Sequence, residues 1–302
     1  MPRFGMAVVR AATAALGVCI GFTDARGNEP PSDPRLLQIK PSASIFLKAP
    51  AVQGVAFRGH VSFDDAGNKA GAAVLYPAPN LLVGLVAVLT HGAVVEAAKN
   101  AEKTKLQTAA DQVLQPHQTS IADMRAADLV LASQALLGKA LPARRFAADV
   151  SSADWIVETL PVYTMLQDQL ALILDNTIAV YAASDSQTVL YRGAVRVISP
   201  PVKRETELVA YWGHDSGKRL RDMSARLHAQ SLEVWLAQAA RDADSSPQNK
   251  TVRYLEGRTE RFERAQVISE ACGRVVMMNL RGWLMAVPAA RRSTEAQGAA
   301  DC

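Results

Sequence analysis

DWIVETLPV (Asp154–Val162), QLALIL (Gln169–Leu174), TIAVYAA (Thr177–Ala183) and TVLYRGAVRVIS (Thr188–Ser199) follow one another in the middle of the chain and set its architecture. Each run is short and rich in β-branched and aromatic residues, which suit a pleated, half-buried surface. Asp175-Asn176 and Ser184-Asp185-Ser186-Gln187 stand between runs as turn chemistry. Strands joined by such short turns predict an antiparallel meander. In the last run Arg192 and Arg196 fall on one face and Val189, Tyr191, Val195 and Val197 on the other, which predicts one wet face and one dry.

A dry face needs a cover, and the segment Lys218 to Arg241 supplies one. Leu220, Met223, Leu227, Val234 and Trp235 gather within about 120° of helical arc, with Arg219, Asp222, Arg226 and Glu233 outside it. Asp215 or Ser216 can cap its start. TVRYLEG (Thr251–Gly257) and RVVMMNLRGWLMAVP (Arg274–Pro288) add strand candidates, with the charged RTERFER (Arg258–Arg264) between them.

Upstream of the meander, VAFRGHVSF (Val55–Phe63) alternates like a strand, and AAVLYP (Ala72–Pro77) can return beside it. Asn80 then opens a long helical reading. Leu81 to Val95 carries no Asp, Glu, Lys or Arg, yet fifteen helical residues span only about 22 Å, short of a hydrocarbon core of about 30 Å. A core helix is the expectation, with Leu81, Leu85, Val88 and Leu89 buried; contact of the same residues with a membrane surface is the alternative. Good helix formers continue to Pro116, and Ser120 to Leu141 reads as another helix.

The expected fold is therefore α+β: an antiparallel meander sheet packed against amphipathic helices and preceded by a long helical segment. Residues 1–25 read as a signal peptide, with Arg3 and Arg10 ahead of the apolar AATAALGVCIGF and cleavage after Ala25. Lipidation at Cys19 and a buried N-terminal helix are the rival readings of that leader. Residues 26–44 read as an extended, proline-rich linker, 45–290 as a single α+β domain and 291–302 as a flexible tail. Within the domain, residues 80–141 can form a helical subdomain and 150–290 a sheet-plus-helix subdomain. Cys272 and Cys302, the thiols left after cleavage, pair in an oxidising compartment or stay apart as a small buried cysteine and a loose terminal thiol.

The 302 residues are 49% hydrophobic and 21% charged, which excludes a disordered chain. A formal charge of +4 is spread among interspersed acids and bases, which argues against nucleic acid as partner. GHDSGKR (Gly213–Arg219) lacks both the glycine spacing and the Ser or Thr of a phosphate-binding loop. Neither HExxH, GxSxG nor GxGxxG occurs. His214 and His228 can be assembled on paper into a metal site or an acid–base pair, but no carboxylate spacing completes a ligand set. Trp212, Trp235 and Trp283 read as core. No catalytic residue, cofactor or metal ligand is assigned.

What remains is an exported bacterial cell-envelope or periplasmic accessory protein that acts by binding an envelope protein, with Arg258, Arg261 and Arg264 as candidate contacts. Small residues along Ala98–Val113 leave room for a homo-oligomer. A secreted hydrolase with a site assembled from distant residues is the alternative. A pocket where His214, His228 or paired carboxylates converge separates it from the binding module.

Overall fold

A computed structural model describes residues 33–61, 103–203, 207–241 and 248–290. Its strands are β1 (Ser44–Lys48), β2 (Ala56–Gly59), β3 (Arg145–Phe146), β4 (Trp155–Met165), β5 (Leu172–Ala182), β6 (Tyr191–Ile198), β7 (Asn249–Glu256), β8 (Thr259–Ala271), β9 (Arg274–Asn279) and β10 (Leu284–Pro288). Together they form one ten-stranded sheet in the order β3-β1-β4-β5-β6-β10-β9-β8-β7, with β2 also paired to β4.

Only part of this is the expected meander. β4, β5 and β6 pair antiparallel, Trp155 opposite Ala182 and Val180 opposite Tyr191. Beyond β6 the chain enters the long helix, and the strand that comes to lie beside β6 is β10, parallel, with Val195 opposite Leu284. β1 and β2 run parallel to β4, and β3 parallel to β1. The fold expectation is thus corrected: a large mixed sheet dominates, helices are few, and an antiparallel meander describes one section only. Tight turns force neighbouring strands to pair antiparallel, whereas a strand that returns after a long connection can lie parallel. Periodicity within one strand carries no record of that return.

Asp175-Asn176 is not a turn. β5 runs straight through it, because both residues are buried and partnered. The chain reverses instead at residues 166–171, where Gln169 takes a left-handed φ of 52° and Asp168 Oδ1 accepts from the Leu170 amide.

The long helical segment is also corrected where it is described. Residues 103–110 (α1) are helical. A 3-10 stretch, Asp111–His117, absorbs Pro116, and α2 (Gln118–Ala122) and α3 (Ala126–Ala140) follow as separate pieces. Leu81, Leu85, Val88 and Leu89, the leader and the tail lie outside the described residues. Residues 33–43 include a 3-10 turn, and Ile39 is buried with its amide donating to the Ala239 carbonyl, so this end of the expected linker is anchored.

α4 (Leu208–Ala239) covers the sheet as expected, with Leu220, Leu227, Val234 and Trp235 buried. It breaks at 214–217. Asp215 and Ser216 have φ of 53° and 51° and Gly217 of 79°, so they form a left-handed corner instead of an extended N-cap. A side chain on Gly217 would strike Ser120.

Alternation sorts the strands into two faces. One presents Val157, Tyr163, Leu174, Ile178, Tyr191, Val195 and Val197 to α3 and α4 in the main core. The other presents Ile173, Ile198, Met285 and Val287 to a second core with Val252, Tyr254, Ala265, Val275 and Met277. Tyr254 bridges Ala289, so β7 returns to the end of β10 and the last four strands curl around this second core.

Candidate functional site

Polar side chains collect in two places, one on each face of the sheet. On the helix face, His228 is fully buried, and its ring nitrogens lie 2.9 Å from Ser133 Oγ and 3.1 Å from Thr159 Oγ1. Asn176 donates to Ser231 Oγ at 2.9 Å, and the Tyr163 hydroxyl donates to the Ser224 carbonyl at 2.7 Å. Burial pushes His228 down to about 4. Sealed among hydroxyls, it holds α3, α4 and β4 together. His214 is exposed at the corner in α4, so the two histidines are not brought together.

The other face carries charge at the border of the second core. Asp175 on β5 stands directly opposite Arg196 on β6. Arg196 Nε and Nη2 donate to Asp175 Oδ1 and Oδ2 at 2.6 and 2.8 Å, the bidentate geometry of a strong pair. From β2, on the opposite side of β4, Arg58 Nε donates to Thr164 Oγ1 at 2.9 Å and its Nη2 to Asp175 Oδ2 at 3.3 Å. Burial alone would lower the Arg196 pKa, but the Asp175 charge and hydrogen bonds outweigh it and hold the guanidinium above its ordinary value. The Arg196 guanidinium carbon lies 5.6 Å from the centre of the Trp283 ring, within cation–π range.

A second carboxylate adjoins. Glu256, at the end of β7, accepts from Arg261 Nε at 3.4 Å, and His60 Nε2 lies 3.5 Å from the same oxygen. Burial is the largest influence on His60 and lowers its pKa; Glu256 opposes it, while Arg261, Arg196 and Arg58 add to it. The imidazole is therefore neutral at pH 7. Glu263 is shifted upward by burial against the pull of Arg281 and Arg196.

The curl of β7 and β8 brings Glu256 and Arg261 over a face that β4–β6 leave half open. Leu160, Val162, Thr177, Ala179 and Arg192 on that face are half-buried. Its expected wetness is thus partial: Arg196 is enclosed and paired with Asp175, and Arg192 is half-buried. Of the three arginines proposed as partner contacts, Arg258 is exposed in the β7–β8 turn, Arg261 turns inward to Glu256, and Arg264 is exposed on the opposite face of β8. They do not form one patch.

Asp175, Arg58, His60 and Glu256 escaped sequence reasoning. Asp175 looked like a turn residue, and the others are scattered across the chain. Arg196 was the available signal, since a charge within an apolar alternation calls for an opposite charge on the same face of a neighbouring strand.

Chemically, the carboxylates are committed to guanidinium groups and serve as anchors that hold donors in place. Among the described residues no group of three His, Cys, Asp or Glu can hold a metal ion. Cys272 is disulfide-bonded, with its partner outside the described residues. It is exposed in a two-residue hairpin turn with Gly273, φ 53° and 67°, rather than buried. No protein-family model, curated protein or solved structure matches the chain.

Proposed function

We propose that this is an exported bacterial cell-envelope protein, periplasmic or secreted, that acts by binding another protein and not by catalysis. The observation that carries the reading is the half-open β4–β6 face ending in Arg58, Arg196 and Arg261, with Asp175 and Glu256 locked among them. Carboxylates held this way are poor bases, but they keep guanidinium groups fixed for recognition. The disulfide at Cys272 and the apolar leader agree with an oxidising compartment. No helix among the described residues is long and apolar enough to cross a membrane.

The test is a photo-crosslinking residue at Val162 or Ala179 in the full chain, produced in bacterial cells, with Arg264 on the opposite sheet face as control. A protein adduct of defined mass from the half-open face and none from Arg264 is expected. Equal adducts from both faces, or a product that keeps its leader in the cytoplasm, contradict the proposal.

One observation favours a secreted hydrolase: a neutral His60 beside Glu256 is a base next to an orienting carboxylate. That reading expects ester or amide turnover that is lost in His60→Gln while the crosslink persists.

A further inference from the structure

We propose that the half-open face of β4–β6 binds an extended acidic segment of its partner, with one carboxylate at Arg58 and a second, about four residues along, at Arg192. This rests on the protein-binding reading above.

The charge balance comes first. Around Asp175 and Glu256 stand Arg58, Arg196 and Arg261, one more cation than anion. Arg58 uses Nε on Thr164 and Nη2 on Asp175, which leaves Nη1 with no protein acceptor among the described residues on a side chain 31% exposed. It is a donor already fixed in place, so little side-chain entropy remains to be lost on binding.

Arg192 supplies the second, independent observation. It shares a face of β6 with Arg196, four residues away, a separation of about 13 Å in a strand. Its Nε is buried and has no hydrogen-bond partner among the described residues. A buried donor left unpaired is destabilising, and a carboxylate from outside would satisfy it. Opposite Arg192 on β5 is Ala179, and next across on β4 is Glu158, whose oxygens are engaged by Lys48 at 3.5 Å and the Tyr181 hydroxyl at 3.2 Å.

Between the two cationic ends lie Leu160, Val162, Thr177 and Ala179, small or apolar side chains that leave a low floor for a backbone. An extended peptide has the same rise per residue as the strands beneath it. The Arg58 guanidinium meets Asp175, which stands opposite Arg196, so Glu or Asp at positions one and five of such a segment reaches from there to Arg192. A single terminal carboxylate would satisfy one end only.

The test uses the full chain and three N-terminally labelled peptides of serine and alanine: two amidated at the C terminus, one of them with Glu at positions one and five and the other with a single Glu, and a third without Glu that keeps a free C-terminal carboxylate. Fluorescence anisotropy at low salt reads the affinity. The two-Glu peptide is expected to bind about tenfold or more tighter than either other peptide, since a hydrogen bond to a charged group contributes at least that factor. Arg192→Gln is expected to reduce this binding to the single-Glu level with a urea midpoint that does not fall, because Arg192 makes no hydrogen bond to lose among the described residues. Arg58→Gln should weaken binding by a similar factor. Equal affinity for all three peptides, or an Arg192→Gln protein that still prefers two glutamates, overturns the proposal. Preference for the free C terminus assigns the site to a terminal carboxylate and equally overturns it. If the peptides fail while the crosslink at Val162 persists, the acidic-segment inference falls and the binding reading stands; if both fail, both fall.

Discussion

Replacing Asp175 by Asn tests whether the charged cluster is built as described. The substitution keeps the shape of the side chain and removes the charge that accepts hydrogen bonds at 2.6, 2.8 and 3.3 Å from two arginines. Arg196, with its side chain only 17% exposed, would be left as a largely buried cation. Breaking a buried pair from one side costs about 3–5 kcal/mol. The lower end applies here, because Trp283 and Glu256 still stabilise the Arg196 charge. A loss of about 3 kcal/mol is a large share of a typical total of about 5–15 kcal/mol. It corresponds to roughly 6–12 °C in melting temperature for a domain of this size. The assay is urea unfolding at pH 7 followed by circular dichroism, on the single variant and on Asp175→Leu combined with Arg196→Met. The double replacement should recover most of the loss, since an apolar pair leaves no buried charge. A loss below about 1 kcal/mol for Asp175→Asn would falsify the buried pair and put it with ordinary surface ion pairs.

Stability should also fall in acid because of His228. The folded protein resists protonating it until about 4, while an unfolded chain takes the proton near 6.5, so unfolding is favoured increasingly as pH drops through that window. The contribution lost between pH 7 and pH 4 is about 3 kcal/mol, and a His228→Gln protein should show a correspondingly flatter profile in unfolding titrations. Gly59→Ala should cost about 2–3 kcal/mol, because the new methyl would strike the Ala110 carbonyl where Gly59 is already held by Asp111 Oδ1 and Gln107 Nε2; an unchanged urea midpoint would refute that packing. Under denaturing conditions the protein should resist alkylation at Cys272 until reduced, and labelling without reductant would contradict the disulfide.

Legibility in the sequence followed the length of the connections. The alternation of β4 to β6 could be read because each strand carries its own and the chain turns back at once, but turn chemistry at Asp175-Asn176 divides β5 on paper where the strand is continuous. α4 could be read because its apolar arc repeats over six turns. β1, with the short SIFLK, and the parallel partners of β4 could not, since their pairing depends on where a distant segment arrives. The same holds for the charged cluster. Asp175 has turn chemistry by type, and only an arginine from the facing strand and another from β2 make a strand interior tolerable for it. The tryptophans needed no such partner. Trp212, Trp235 and Trp283 are all buried, as their area alone suggests.

β10 is the last strand of the described chain, yet it occupies the middle of the sheet, between β6 and β9. Its parallel partner Val195 precedes Leu284 by most of a domain's length, so the seam between the two halves of the sheet cannot close until the C-terminal end has been made. During synthesis the unfilled slot leaves two unpaired edges, β6 and β9, open to other chains. A protein cut short before Leu284 would thus be more prone to aggregate than its lost length suggests, and a chaperone that shields strand edges would matter most in the interval before β10 arrives.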